Sequence, residues 1–192
     1  FNEAGRQAIY ADPNWNGGNY YDGSIPAGGL AVARMLAHIT YMSETSLERK
    51  FGRNMQTRER PAYTFSEPEF TIESYLAYQG QQFVRRFDAN SYLYITKAID
   101  YFDIAEDFGS LRLALERTSA RFLVVSFSSD WLYPAEQSRE LVNTLHELER
   151  EVEYHHIQAP FGHDSFLVEV DRMTEVVGNY ITRLWVTGPI KN

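Results

Sequence analysis

The chain has 192 residues, 44% of them hydrophobic and 23% charged, with 18 Lys plus Arg against 26 Asp plus Glu for a net charge of −8. Such a chain is apolar enough to fold and, being acidic, offers no basic face to nucleic acid. It contains no cysteine, which excludes disulfides, thiolate nucleophiles and thiolate-bound zinc or iron–sulfur centres. No apolar run reaches the roughly 20 residues of a membrane span and no signal peptide opens the chain, so a cytoplasmic protein is expected.

Residues 1–11 read as a helix tail that stops at Asp12-Pro13, because the residue before a proline is pushed out of the helical region. Asn14 to Gly29 (NWNGGNYYDGSIPAGG) is rich in turn formers and reads as a long loop. Leu30 to Tyr41 has helical apolar spacing. Ser43 precedes a short helix (ETSLERKFG) with Glu44 early and Arg49 and Lys50 late, the order the helix dipole prefers. Arg53 to Glu69 is polar, carries two prolines and reads as a loop. Phe70 to Asp88 and Asn90 to Asp103 are two consecutive predicted helices. In the first, Ile72, Tyr75, Leu76, Gln79, Phe83 and Phe87 share one side.

The pattern changes at Arg121. RFLVVSF is a short apolar, β-branched and aromatic run bounded by Ser-Ser-Asp, a buried strand. Pro134 to Leu148 is an amphipathic helix, Glu151 to Gln158 (EVEYHHIQ) a second strand, and Phe166 to Trp185 a final helix after a break at Gly162. Strand, helix, strand, helix is the repeating unit of a parallel α/β sheet. The fold class is therefore α/β, with a helical region over residues 1–118 and two strand–helix units over 119–192. Two strands do not make a stable sheet alone, so these units are expected to be the last part of a larger core.

In open parallel α/β folds, functional residues sit in loops just past the carboxyl ends of the strands. The first predicted strand runs into Ser128-Ser129-Asp130-Trp131, and the second into Phe161-Gly162-His163-Asp164. An acid and then a histidine after successive strands match the last two members of an α/β-hydrolase triad, whose chain order is Ser, Asp, His. His163 would take the nucleophile's proton, and Asp130 would fix its tautomer and stabilise the imidazolium.

Longer words carry a family resemblance. ADPNWNGGNYY (11–21), GLAVARMLAHITYMSE (29–44), KFGR (50–53), ESYLAYQGQQFVRRFDANSYLYITKAIDYFD (73–103), VVSFSSDWLYP (124–134) and GHDSFL (162–167) resemble the homoserine O-acyltransferase family, enzymes of the α/β-hydrolase fold. The resemblance implies the carboxyl-terminal part of that fold, with residues 1–118 as a helical lid insertion. It implies catalytic roles for Asp130 and His163. It also implies that Asp164 holds the amino group of homoserine, Arg34 its carboxylate, and that Tyr41 contacts the substrate. A zwitterion needs one cation and one anion, and Arg binds carboxylate in a bidentate fashion. The implied activity is transfer of an acetyl group from acetyl-CoA to the hydroxyl of L-homoserine in methionine biosynthesis. Acetyl-CoA would serve as the donor substrate, with no bound cofactor.

The family's nucleophile lies in a Gly-Gly-Ser-x-Gly-Gly turn, and no G-x-S-x-G is present in these 192 residues. The resemblance places that serine upstream of Phe1, so this stretch alone is expected to be inactive. Succinyl transfer by the same family, an inactive lid or association fragment, and plain ester hydrolysis are the alternatives. Acetyl is favoured over succinyl because neither triad loop carries a cation for a second carboxylate. His155 and His156 adjoin in a strand and must face opposite ways, so no metal site is expected. The abundance of aromatic side chains over residues 26–103 points to a homodimer built through these helices.

Overall fold

The computed structural model describes residues 1–188. They divide into two compact units: Phe1–Thr40 with Leu47–Phe102, and Tyr41–Ser46 with residues 103 onwards. The boundary lies earlier than the 118/119 division drawn from the sequence, and the short stretch 41–46 goes with the second unit. The reason is packing. Two short helices, α6 (Ile104–Phe108) and α7 (Leu111–Glu116), follow the boundary, and α7 packs on α8 (Ala135–Glu147) of the second unit.

The first unit contains α1 (Asn2–Tyr10), most of α2 (Ala27–Tyr41) and α3 (Glu44–Lys50), then α4 (Thr71–Val84) and α5 (Ala89–Tyr101). Its core joins Ile9, Tyr20, Leu30, Ala33, Phe83, Ala89 and Leu93. α2 begins three residues before the predicted start. Pro26 precedes it, and a proline is well tolerated where a helix begins because its missing N–H has no intrahelical role there. Gly29 belongs to that extra turn for a steric reason: a Cβ there would lie 2.4 Å from the Ala8 carbonyl oxygen and 2.6 Å from the Ile9 α-carbon. The predicted loop 14–29 also opens with a 3-10 turn, Pro13–Gly18, started by the Asp12 side chain accepting from the Asn14 N–H at 3.0 Å.

Long-range polar contacts tie this unit together. The Asp88 carboxylate caps α5 through the Ser91 N–H (2.7 Å) and accepts from the Tyr20 hydroxyl. Asn90 donates to the Gly18 carbonyl (2.9 Å) and accepts from the Trp15 indole (3.2 Å). The buried Arg6 side chain pairs with Asp100 at 2.5 Å and with Glu3 at 2.8 Å, fastening α1 to α5. Glu73, in the first turn of α4, reaches back to accept from the Phe70 N–H at 2.8 Å, satisfying one of the donors a helix start leaves open.

In the second unit, β1 (Phe122–Phe127) pairs in parallel with β2 (Val152–Ile157), with Phe122 opposite Val152 and Phe127 opposite Ile157. The helix between them, α8, buries Ala135, Val142 and Leu145. One face of the pair carries Val125, Phe127 and Ile157 in a cluster with Ala159, Phe161 and Met173. On the other face the Ser126 hydroxyl lies 2.7 Å from the Tyr154 hydroxyl and 2.9 Å from His156 Nδ1. The single final helix predicted over 166–185 is instead broken. A 3-10 turn (Gly162–Asp164) leads into α9 (Ser165–Val168), Glu169 leaves helical geometry at φ −80°, ψ 51°, and α10 (Val170–Thr187) restarts. The β-branched Val168 and Val170 flank the break, where helix propensity is low, and Asp171 sits in the first turn of the new helix.

Candidate active site

The site is built by two loops at the carboxyl ends of β1 and β2. The ladder continues one step past β1, where the Ser128 N–H donates to the Ile157 carbonyl at 3.0 Å. The chain then turns, and Asp130 folds its own carboxylate back onto the following backbone. Its Oδ1 accepts from the Leu132 N–H (3.0 Å) and the Tyr133 N–H (2.9 Å). That leaves Oδ2, which lies 2.8 Å from His163 Nδ1. The Asp130 side chain is nearly buried, 7% exposed, whereas that of His163 is 28% exposed. An ionised carboxylate can only accept, so this geometry places the proton on Nδ1 and makes Nε2 the basic nitrogen.

The His163 ring has three aromatic neighbours. Ring centroids lie at 5.1 Å for Tyr133, 5.5 Å for Phe166 and 5.6 Å for Tyr41. Tyr41 reaches the site because residues 41–43 pack against both the acid loop and the base loop. The Trp131 indole donates to the Met42 carbonyl at 3.0 Å, and the Ser43 hydroxyl donates to the Pro160 carbonyl. Gly162 sits at φ +76°, and a Cβ there would come within 2.5 Å of the Ser43 nitrogen and 2.7 Å of the Tyr41 oxygen. Only glycine meets both demands.

Asp130, His163 and Tyr41 are thus brought together, and Asp164 follows the base in the same 3-10 turn, half-buried. Arg34 lies in the helical unit on α2, its guanidinium 5.0 Å from the Phe83 ring centroid. His155 and His156 face opposite ways, as their strand position requires: His155 pairs with Glu153 at 2.6 Å, while His156 meets Ser126. Among the described residues, no group of three or more His, Asp or Glu side chains is placed to hold a metal ion. No helix among them is long and apolar enough to cross a membrane. A groove of about 470 Å³ between β2 and α10, lined by residues including Glu153, His155, Arg172 and Arg183, contains none of the predicted site residues.

Sequence patterning does not reveal Ser128 and Ser129, whose side chains join the two loops, Trp131, which ties the acid loop to Met42, or the rings of Tyr133 and Phe166. The one signal for them is adjacency to the acid and the base. Turn-forming residues mark a loop but do not say what it is tied to.

Two parallel strands with a crossover helix, an acid after the first and a hydrogen-bonded histidine after the second, define part of an α/β-hydrolase fold. The comparisons agree. A homoserine O-acetyltransferase from Bacillus anthracis superimposes with a TM-score of 0.78 at 27% identity, over 88% of this chain and 44% of that one. Esterase E22 superimposes with a TM-score of 0.77 over 92% of this chain and 48% of that one, at 21% identity, a likeness of fold. No family model matches the chain. In sequence it is 52% identical over 187 residues, 97% of its length, to the homoserine O-acetyltransferase of Methanohalobium evestigatum. Over nearly its whole length the chain is similar to homoserine O-acetyltransferases, and it spans less than half the length of these curated relatives, 38% of one and 48% of another.

Proposed function

We propose that the protein is a homoserine O-acetyltransferase in which Asp130 and His163 form the acid–base part of a Ser-His-Asp triad. The observation that carries this reading is the 2.8 Å Asp130–His163 contact at the ends of successive parallel strands, in a chain about half identical to enzymes of that name. Acetyl-CoA is the donor substrate, and no bound cofactor is required. The nucleophilic serine comes from a segment outside these 192 residues. His163 Nε2 takes the serine proton as the oxygen attacks the thioester carbonyl; the C–S bond breaks and CoA leaves with that proton. In the second half-reaction the homoserine hydroxyl gives its proton to the same nitrogen, attacks the acyl-serine, and the serine oxygen recovers the proton as it leaves.

In this proposal Asp164 holds the ammonium of homoserine, Arg34 its carboxylate, and Tyr41 makes a further substrate contact, the roles that the family resemblance implies. An anchored acceptor outcompetes water because its hydroxyl is held at the reacting carbon rather than arriving by chance. The product is O-acetylhomoserine, an intermediate toward methionine, and the setting is cytoplasmic. A homodimer built through the helical unit is part of the same proposal. It is supported by the exposed side chains along α5 and at its carboxyl-terminal cap, Tyr94, Ile95, Ile99 and Phe102, all more than half exposed.

The assignment of Asp164 is tested by separating the half-reactions in the full-length protein. Asp164→Asn should leave acetyl-CoA cleavage intact while reducing transfer to homoserine by roughly 30- to 1,000-fold, the loss of a charge-assisted contact of about 2–4 kcal/mol. Unchanged transfer would contradict the anchored-acceptor reading. A second reading, ester hydrolysis with water as acceptor, draws on the fold shared with esterase E22 and gains from that outcome.

A further inference from the structure

The acid and the base ride on separate loops, so something must set their distance before Asp130 and His163 can meet at 2.8 Å. The joining hydrogen bonds run through two serines. We infer that Ser129 is a positioning residue that holds the acid loop to the base loop, an inference that rests on reading Asp130 and His163 as the acid–base pair. Its hydroxyl donates to the Ala159 carbonyl at 2.6 Å and accepts from the Gly162 N–H at 2.8 Å. A carbonyl can only accept and an amide N–H can only donate, so the direction of both bonds is fixed.

The placement is what gives this hydroxyl leverage. Ser129 is covalently next to Asp130, and Gly162 is covalently next to His163. One oxygen therefore links the immediate neighbours of both members. Ser128 adds a second brace, accepting from the Ala159 N–H at 3.1 Å, with its hydroxyl 3.3 Å from the Ala159 carbonyl. Gly162 is buried and wedged against residues 41–43. Its N–H is left without this partner if the Ser129 oxygen is removed. A buried donor without a partner drives the local backbone to rearrange, and the first residue to follow Gly162 is the base. The Ser129 hydroxyl is engaged by two backbone groups of the base loop, so the role inferred for it is positioning.

The test uses the full-length protein with two substrates: acetyl-CoA plus homoserine, and p-nitrophenyl acetate, which requires the acid–base pair but no homoserine. Ser129→Ala should lower kcat on both by roughly tenfold to a hundredfold, the usual consequence of sub-ångström to 1 Å misplacement of a catalytic group. The KM for homoserine should stay within about twofold. Ser129→Thr, which keeps the oxygen, should restore kcat to within about threefold. The downfield proton resonance of a histidine Nδ1–H held by a carboxylate should weaken in Ser129→Ala and return in Ser129→Thr. Wild-type kcat in Ser129→Ala, a rise in KM alone, or an unchanged downfield resonance overturns the inference. If Ser129→Ala does not fold, wild-type amide exchange decides: protection of Gly162 comparable to the β2 amides supports the bridge, and open-chain exchange overturns it. A wild-type protein that turns over p-nitrophenyl acetate but not homoserine counts against the function proposed above and leaves this test standing.

Discussion

The two units use polar side chains for different ends. In the helical unit, the most distinctive sequence words bind one another: Trp15, Gly18 and Tyr20 from one loop meet Asp88 and Asn90 at the start of α5. In the α/β unit, Asp130 holds the His163 imidazole, and the Ser129 hydroxyl beside it holds the backbone next to that imidazole. A dense polar motif is therefore not by itself a sign of chemistry. Buried polar groups must be satisfied wherever they lie, and in the helical unit that requirement accounts for the contacts among Trp15, Tyr20, Asp88 and Asn90. What marks the site in the second unit is position at the ends of parallel strands.

The sharpest way to break this contrast is to remove groups on each side of it. On the chemical side, Asp130→Asn leaves the shape of the acid but deprives His163 of the carboxylate that fixes its tautomer. Turnover should fall by about four orders of magnitude with little change in thermal stability, as read by steady-state kinetics beside calorimetry. On the structural side, Asn90→Ala removes bonds to Gly18 and Trp15. It should lower stability by about 1–3 kcal/mol and leave kcat per folded molecule unchanged. A loss of kcat at full stability would move this motif into the catalytic machinery.

Smaller in effect, and confined to acid, is the contribution of His38. Burial first, then the charges of Arg34 and Lys50, push its pKa down to about 4 from the usual 6.5. It sits 8% exposed with Nδ1 3.2 Å from the Tyr75 hydroxyl. The unfolded chain binds a proton here between those values while the folded chain does not. The neutral histidine's contribution is thus fully present above pH 6.5 and is lost as pH falls toward 4. Chemical denaturation across that range should show a decline of order 2 kcal/mol in the wild type. His38→Gln should flatten it, and an equal decline in the variant would place the titration elsewhere.

How much of this was legible in the sequence follows the same division. The RFLVVSF and EVEYHHIQ strands, their parallel pairing through an amphipathic crossover and the placing of Asp130 and His163 after them all rest on local periodicity, and the structure agrees. The break at Glu169 has only a weak local signal, two valines and an aspartate, inside an otherwise helical pattern. The start of α2 at Ala27 was hidden by two glycines that a loop would also use, and it is explained by contact with α1. The serine bridge and the Tyr20–Asp88 bond join residues about 30 and 68 positions apart, and such separations leave no periodic trace. The family words marked those regions but did not say which residue touches which.

In the proposed mechanism His163 serves as the base in both halves of an acyl transfer through an enzyme-bound serine. That role is tested most directly by mixing the full-length protein with acetyl-CoA in the absence of homoserine and following CoA release in the first turnover, then adding homoserine. The expected result is a burst of CoA close to one per active site, an acetylated serine detectable by mass, and discharge of that acetyl group on addition of homoserine, with His163→Ala showing neither the burst nor the discharge. CoA release that begins only when homoserine is added, or a burst that survives in His163→Ala, would contradict the account.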